Sequence, residues 1–213
     1  MKTGYFWPLF GDNNELYFSF ASTRATQHIE TLLNGFKGTL LTNGYAAYEK
    51  YCASVEGLTH AQCWAHTQRY FEKALEDEPA LAQQGMDYIA ALYSHEQVMN
   101  DQQMDARRQL AYRGHHSKQV VDAFYRWCLA HVKRPDLIAT KNPVLVAINY
   151  ALKRKQALEV FLADPGVPLD TNHVERALRI IPMGRKNWLF CWNEVGAHDV
   201  GIIQTLLFPA GMA

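Results

Sequence analysis

Apolar and polar positions change period several times along this chain. The opening residues Tyr5-Phe6-Trp7-Pro8-Leu9-Phe10 are followed by a polar turn, Gly11-Asp12-Asn13-Asn14, and then by Leu16-Tyr17-Phe18-Ser19-Phe20. Two aromatic-rich runs joined by turn residues predict a β-hairpin. From Arg24 to Leu33 the pattern becomes helical, with Ser22 or Thr23 as an N-cap and Asn34-Gly35 as the stop. Gly38-Thr39-Leu40-Leu41-Thr42 predicts a short strand closed by Asn43-Gly44. A short helix is expected from Tyr45 to Tyr51, a strand from Thr59 to Trp64 and a helix from Ala65 to Glu76. The order is that of an α/β region.

Beyond Pro79 the period is helical throughout. Amphipathic stretches cover about 80–104, 117–132 and 143–162, with Val120, Val121, Phe124, Trp127 and Cys128 on one face of the second. Pro165, Gly166 and Pro168 end this block, and Asp170-Thr171-Asn172 opens a late helix that Ile181-Pro182 is expected to terminate. The predicted layout is an α/β part over 1–78, a helical insertion over 79–164 and a return to the core over 165–213.

Composition narrows the class. With 213 residues, 48% hydrophobic and 20% charged, the chain can bury a core of its own, which excludes collagen-like, mucin-like and disordered readings. No run approaches the roughly 18 apolar residues of a membrane span, and no secretory leader opens the chain, so a cytoplasmic protein without a membrane partner is expected. Cys52, Cys63, Cys128 and Cys191 are scattered, as free thiols in a reducing compartment would be. The formal net charge of zero hides an asymmetry: residues 1–100 carry 6 basic and 11 acidic side chains, residues 101–213 carry 15 and 10. The second half is the better face for an anionic partner, against the plainer reading of a solvated surface.

Three groups of residues are chemical candidates. Asn172 and Glu175 have capping-box spacing, and Glu175 and Arg179 share a helix face; the sharper reading makes Glu175 a ligand for a hard divalent cation. His60, Cys63 and His66 would suit zinc, but on one strand the histidines and the cysteine would face opposite sides. Lys153-Arg154-Lys155 reads as a solvated helix face with phosphate contact as the alternative, and His115-His116 as an exposed connection. A glycine-rich phosphate loop, GxSxG and HExxH are absent from the sequence.

Taken in order, five segments resemble the catalytic region of bacterial transposases of the insertion sequence 66 family. They are Gly4-Tyr5-Phe6-Trp7; Phe36-Lys37-Gly38 leading to Thr42-Asn43-Gly44-Tyr45-Ala46-Ala47-Tyr48; Ala61-Gln62-Cys63-Trp64-Ala65-His66; Asp170-Thr171-Asn172 leading to Glu175-Arg176-Ala177; and Gly184-Arg185-Lys186-Asn187-Trp188-Leu189-Phe190. The resemblance implies a ribonuclease-H-like core with a large all-helical insertion. It also implies a DDE mechanism, in which two Asp and one Glu hold two divalent ions, Mg²⁺ or Mn²⁺, for attack on a DNA phosphodiester. Double-stranded DNA is the implied partner, as transposon ends and target. Carried across by residue, the last carboxylate is Glu175, and Arg176, Arg179, Arg185, Lys186 and Asn187 are the implied DNA contacts. Cys63, Trp64, His66 and Asn172 are implied to shape the surroundings of the site.

Two departures accompany the match. The second Asp of the family's Asp-Gly-Tyr motif is Asn43, an amide without the charge that two dications roughly 4 Å apart require. The family's first Asp belongs to a strand upstream of Gly4, and Phe208 to Ala213 leave the family pattern, so a fragment with an incomplete core, its first strand absent, is expected. Unpaired strand edges in such a fragment favour self-association or marginal solubility. The leading expectation is an impaired, pseudogene-like remnant of a transposase; the alternative is a non-catalytic DNA-binding or regulatory module that competes with an intact transposase. Asn43 as an engineered change is a further reading, and a metabolic enzyme without any cofactor fingerprint is the weakest.

Overall fold

The computed structural model describes residues 4–179, 181–184, 191 and 193–207. It is a mixed α/β chain, mostly helical, with two small sheets. Two compact units form: the first from 1–37, 46–56 and 172–213, the second from 38–45 and 57–171.

The first unit is built on the hairpin. β1 (Tyr5–Phe10) and β2 (Leu16–Ala21) pair antiparallel, with Trp7 opposite Ser19 and Phe10 opposite Leu16. Its turn closes through Gly11 N–H donating to Glu15 O at 2.8 Å, with Asn14 in the left-handed region at φ 63°. Leu16 and Phe18 are buried on one face, packed with Phe6, Phe10 and, from helix α10 (Asn172–Leu178), Ala177 and Leu178. The final helix, α11 (Glu194–Leu207), covers β2: Phe18 N–H donates to Thr205 Oγ1 at 3.0 Å. A Cβ on Gly201 would lie 2.9 Å from Phe18 O, so this close approach requires glycine.

Helix α1 (Thr26–Leu32) starts later than the sequence predicts. Ala25 is its N-cap and makes no side-chain cap; Thr23 Oγ1 instead accepts from Ala25 N–H at 3.4 Å, closing a turn ahead of the helix. Helix α2 (Ala46–Ser54) is held to the end of α1 by Tyr51 Oη, which donates to Leu33 O at 2.9 Å. The predicted stop at Ile181-Pro182 also shifts. α10 ends at Leu178, and 181–184 form a separate helical turn whose first positions tolerate proline.

The second unit opens with a parallel pair. β3 (Gly38–Thr42) and β4 (Leu58–Gln62) run in register from Gly38 opposite Leu58 to Thr42 opposite Gln62. Gly38 and Gly57 take φ 121° and 84°, which lets Gly38 N–H donate to Gly57 O at 3.0 Å at the start of the pair. β4 is shorter than predicted because Cys63 caps α3 (Trp64–Glu72), whose first residue is Trp64. Then follow α4 (Pro79–Asp101), α5 (Ala106–Tyr112), a π turn (Arg113–Ser117), α6 (Lys118–His131), α7 (Pro135–Ala139), α8 (Pro143–Lys153), α9 (Lys155–Glu159) and a 3₁₀ turn (Val160–Leu162). The helix predicted over 143–162 is therefore broken at Arg154, whose φ of −110° and ψ of 12° leave the helical region. His115 and His116, predicted on a connection, lie in the π turn between α5 and α6 and are exposed there.

One apolar core runs through this unit. Trp64, Phe71, Phe124 and Phe161 pack edge to face in it, with Ile89, Leu92, Val121, Ile148 and Leu158 around them. A single buried ion pair crosses it: Arg113 Nε and Nη2 donate to Glu96 at 2.9 and 2.7 Å, and Nη1 donates to Phe161 O and Asp164 O. Satisfying the guanidinium in this way is what permits a charge to be 3% exposed.

Candidate functional site

The segment around the end of β3 collects the motif residues of the second unit. Asn43 follows the last residue of β3, is exposed, and its Oδ1 accepts from Tyr45 N–H at 3.3 Å, an Asx turn that ends the strand. Gly44 takes φ 87°; a Cβ there would lie 2.2 Å from Tyr150 Oη and 3.1 Å from Gln62 Oε1. Only glycine fits this turn. Beneath it Thr42 Oγ1 lies 2.8 Å from His60 Nε2, which also lies 3.3 Å from Gln62 Nε2.

Cys63 and Trp64 staple three segments together. Cys63 N–H donates to Thr42 O at 3.1 Å, its Sγ accepts from Thr171 N–H and Oγ1 at 3.4 and 3.5 Å, and the side chain is fully buried. Trp64 donates from its backbone to Leu169 O and from Nε1 to Leu158 O, both at 2.9 Å. The end of β3, the start of α3 and the 169–171 segment are thereby fixed to one another. His66, one turn on, is half-buried with Nε2 3.2 Å from Arg69 Nη1. His60, Cys63 and His66 thus occupy a strand, a cap and a helix in turn, and the cysteine sulfur is engaged with Thr171.

Asp170 is a contact that the periodicity did not single out. Its Oδ2 accepts from Tyr93 Oη at 2.8 Å, and burial, reinforced by that bond to a carboxylate, holds the Tyr93 phenol far above its ordinary range. A tyrosine on a predicted core helix gave no sign of this partner.

In the first unit, α10 begins at Asn172 and carries Glu175 in its first turn, where a carboxylate is favoured by the helix dipole. Glu175 is half-buried, while Arg176 and Arg179 are exposed. His173, beside them, packs edge to face on Phe10 with ring centroids 4.7 Å apart. Arg185, Lys186 and Asn187 lie outside the described residues. Asn43 and Glu175 belong to different units. Among the described residues, no three His, Cys, Asp or Glu side chains form a group that could hold a metal ion.

The profile of the transposase IS66 family matches residues 1–199. The chain belongs to this family. Relatives of this IS66-family chain include three uncharacterized proteins of Sinorhizobium fredii (strain NBRC 101917 / NGR234). Protein y4qI is 30% identical over 198 residues, covering 89% of this chain and 36% of its own length. Protein y4hP is 28% identical over 203 residues, covering 88% and 36%, and y4jD is 27% identical over 201 residues, covering 91% and 38%. The chain thus spans little more than a third of the length of these curated relatives. No solved structure matches it. Among the described residues of this transposase-family chain, no helix is long and apolar enough to cross a membrane.

Proposed function

We propose that the chain is the DNA-handling part of a DDE transposase's ribonuclease-H-like catalytic region, and that strand cleavage and transfer are impaired in it. Several features support the ribonuclease-H-like reading: a hairpin, a parallel pair joined through a helical crossover, and a long helical block between β4 and the helix bearing Glu175. The observation that carries the impairment is Asn43, which stands directly after β3 where the family's motif has Asp.

The donor set does not fit a pair of Mg²⁺ or Mn²⁺ ions. An amide oxygen at Asn43 brings no charge, and its Oδ1 is engaged by the backbone of Tyr45. Glu175 alone cannot balance two hard dications, which demand several anionic oxygens. What these residues do is therefore assigned to DNA recognition: the exposed Arg176 and Arg179 contact phosphates, and Cys63 and Trp64 hold the β3 end in place.

The test is a strand-cleavage and joining assay on duplex DNA with Mg²⁺ and with Mn²⁺, running the chain beside Asn43→Asp and Glu175→Ala. The chain itself is expected to leave the duplex uncut. Cleavage that disappears in Glu175→Ala would overturn the impairment. The reading as a non-catalytic DNA-binding module is favoured by the same lost charge, and gains if duplex DNA is bound, with steep salt dependence, but never cut.

A further inference from the structure

On the second unit, an open groove of about 590 Å³ lies between α8 and the end of α3. Lys141, Lys153 and Arg154 line it together with Tyr70, Tyr150 and Asn149, and no lining residue is acidic. The nearest recorded carboxylate contact is at its margin, where Asn142 Nδ2 donates to Glu78 Oε2 at 3.4 Å. Lys141, Lys153 and Asn149 are exposed.

The cations are not loosely placed. Tyr70 and Tyr150 stack with centroids 4.1 Å apart and planes 25° apart, and the Arg154 guanidinium lies 3.9 Å from the centre of the Tyr150 ring. Stacking fixes the plane of the guanidinium and leaves its donors directed sideways, which is how arginine is presented to phosphate oxygens. Arg154 Nε is buried without a hydrogen-bond partner among the described residues. Lys141 sits at φ 52°, a left-handed conformation that costs a residue with a side chain, and is followed at once by the α8 cap. Tyr150, which forms the groove floor, also reaches Gly44 beside Asn43.

We propose that this groove binds the phosphodiester backbone of DNA through Lys141, Lys153 and Arg154, leading it to the β3 end at Gly44. It rests on the reading of the chain as a DNA-handling transposase part, and it adds three phosphate contacts away from α10. The groove's size suits a short run of backbone rather than a whole duplex, so these contacts grip one strand of a duplex lying across the surface.

The test measures binding of the 213-residue chain to a fluorescent 30-base-pair duplex over a salt series. The triple variant Lys141→Gln, Lys153→Gln, Arg154→Gln is compared with a charge-matched control, Arg107→Gln, Arg108→Gln, Lys118→Gln, whose residues are exposed on α5 and α6. The groove variant is expected to bind at least roughly tenfold more weakly and to lower the salt slope by about 2 to 3, one unit per phosphate lost, while the control changes it far less. The double variant Lys141→Gln, Lys153→Gln changes only exposed side chains and is expected to lower the slope by about 2. Arg154→Lys keeps the charge but loses the planar stack, and is expected to lose affinity with little change in slope. Equal effects of groove and control variants, or an unchanged slope in the double variant, would overturn the groove while leaving DNA binding intact. Absence of any salt-sensitive binding by the unsubstituted chain would overturn the DNA reading itself, and the groove with it.

Discussion

The two units solve the burial problem differently. The helical unit wraps one continuous core in which Trp64, Phe71 and Phe124 are each at most 1% exposed, and its buried arginine is fully paired. The hairpin unit buries Leu16 and Phe18 in a far smaller cluster and leaves Val195, Ile202 and Leu206 of α11 more than half exposed, at 66%, 55% and 71%. Cores gain by contiguity, because each side chain is held by neighbours that are themselves fixed. The helical unit should therefore be the stable scaffold, and the unit carrying Glu175 the softer one.

The largest expected effect tests that contrast directly. Phe124→Ala should cost about 3–5 kcal/mol, because a ring touching Trp64, Phe71 and Tyr88 leaves a cavity the core cannot close. Phe18→Ala should cost less, as its smaller cluster can relax around the void. Denaturant melts give the two values, and native-state hydrogen exchange should find the amides of β1 and β2 less protected than those of α4 and α6. Equal losses and equal protection would remove the contrast.

Next in size is Gly44→Ala, which should destabilise the helical unit by about 1–3 kcal/mol, because φ 87° is unfavourable for alanine and the new Cβ would meet Tyr150 Oη. Restoring space with Tyr150→Phe should recover only the steric share of that loss. A melt showing no change for Gly44→Ala would mean that the turn has no need of glycine.

The smallest effect is in pH. Burial, together with His198, lowers the pKa of His28 in the hairpin unit; burial and His116 lower that of His95 in the helical unit, against a raising influence of Glu96. His28 also faces Ser19 and the Trp7 ring, and His95 faces Ser117 and Tyr112. Both pKa values fall below the unfolded value of 6.5, so neither histidine costs stability well above pH 6.5. As the pH drops below 6.5 the unfolded chain takes up protons first, and stability declines until each folded pKa is passed. Melts between pH 8 and 5 should show the decline, shallower in His28→Gln and in His95→Gln; parallel curves for all three would remove these histidines from the account.

Much of this was legible in the sequence where a period was simple. The hairpin, the Gly38-to-Thr42 strand and the long helix after Pro79 follow from alternation, glycine punctuation and amphipathic spacing. Boundaries set by long-range contact were not. Cys63 ends β4 because its sulfur and amide are taken up by Thr171 and Thr42, and nothing local to residue 63 signals either partner. The site was legible as a family pattern, with Asn43 and Glu175 at its marked positions. Tyr93 with Asp170, and Tyr150 against Gly44, joined it only through the fold, since each pair is distant in sequence and each tyrosine reads as ordinary core.

The π turn at Arg113–Ser117 has a consequence for how this chain tolerates changes in length. It lets one additional residue sit inside an otherwise continuous helix, and Gly114, within it, has open space where a side chain would be. Removing a residue here would not break the helix; it would turn everything after it by about 100° about the axis. Phe124 and Cys128 would then swing away from the core that α4 and α8 share with α6. A single-codon deletion that leaves both secondary structure and composition nearly untouched would thus be far more damaging than most substitutions, because it changes the phase of the helix rather than its sequence.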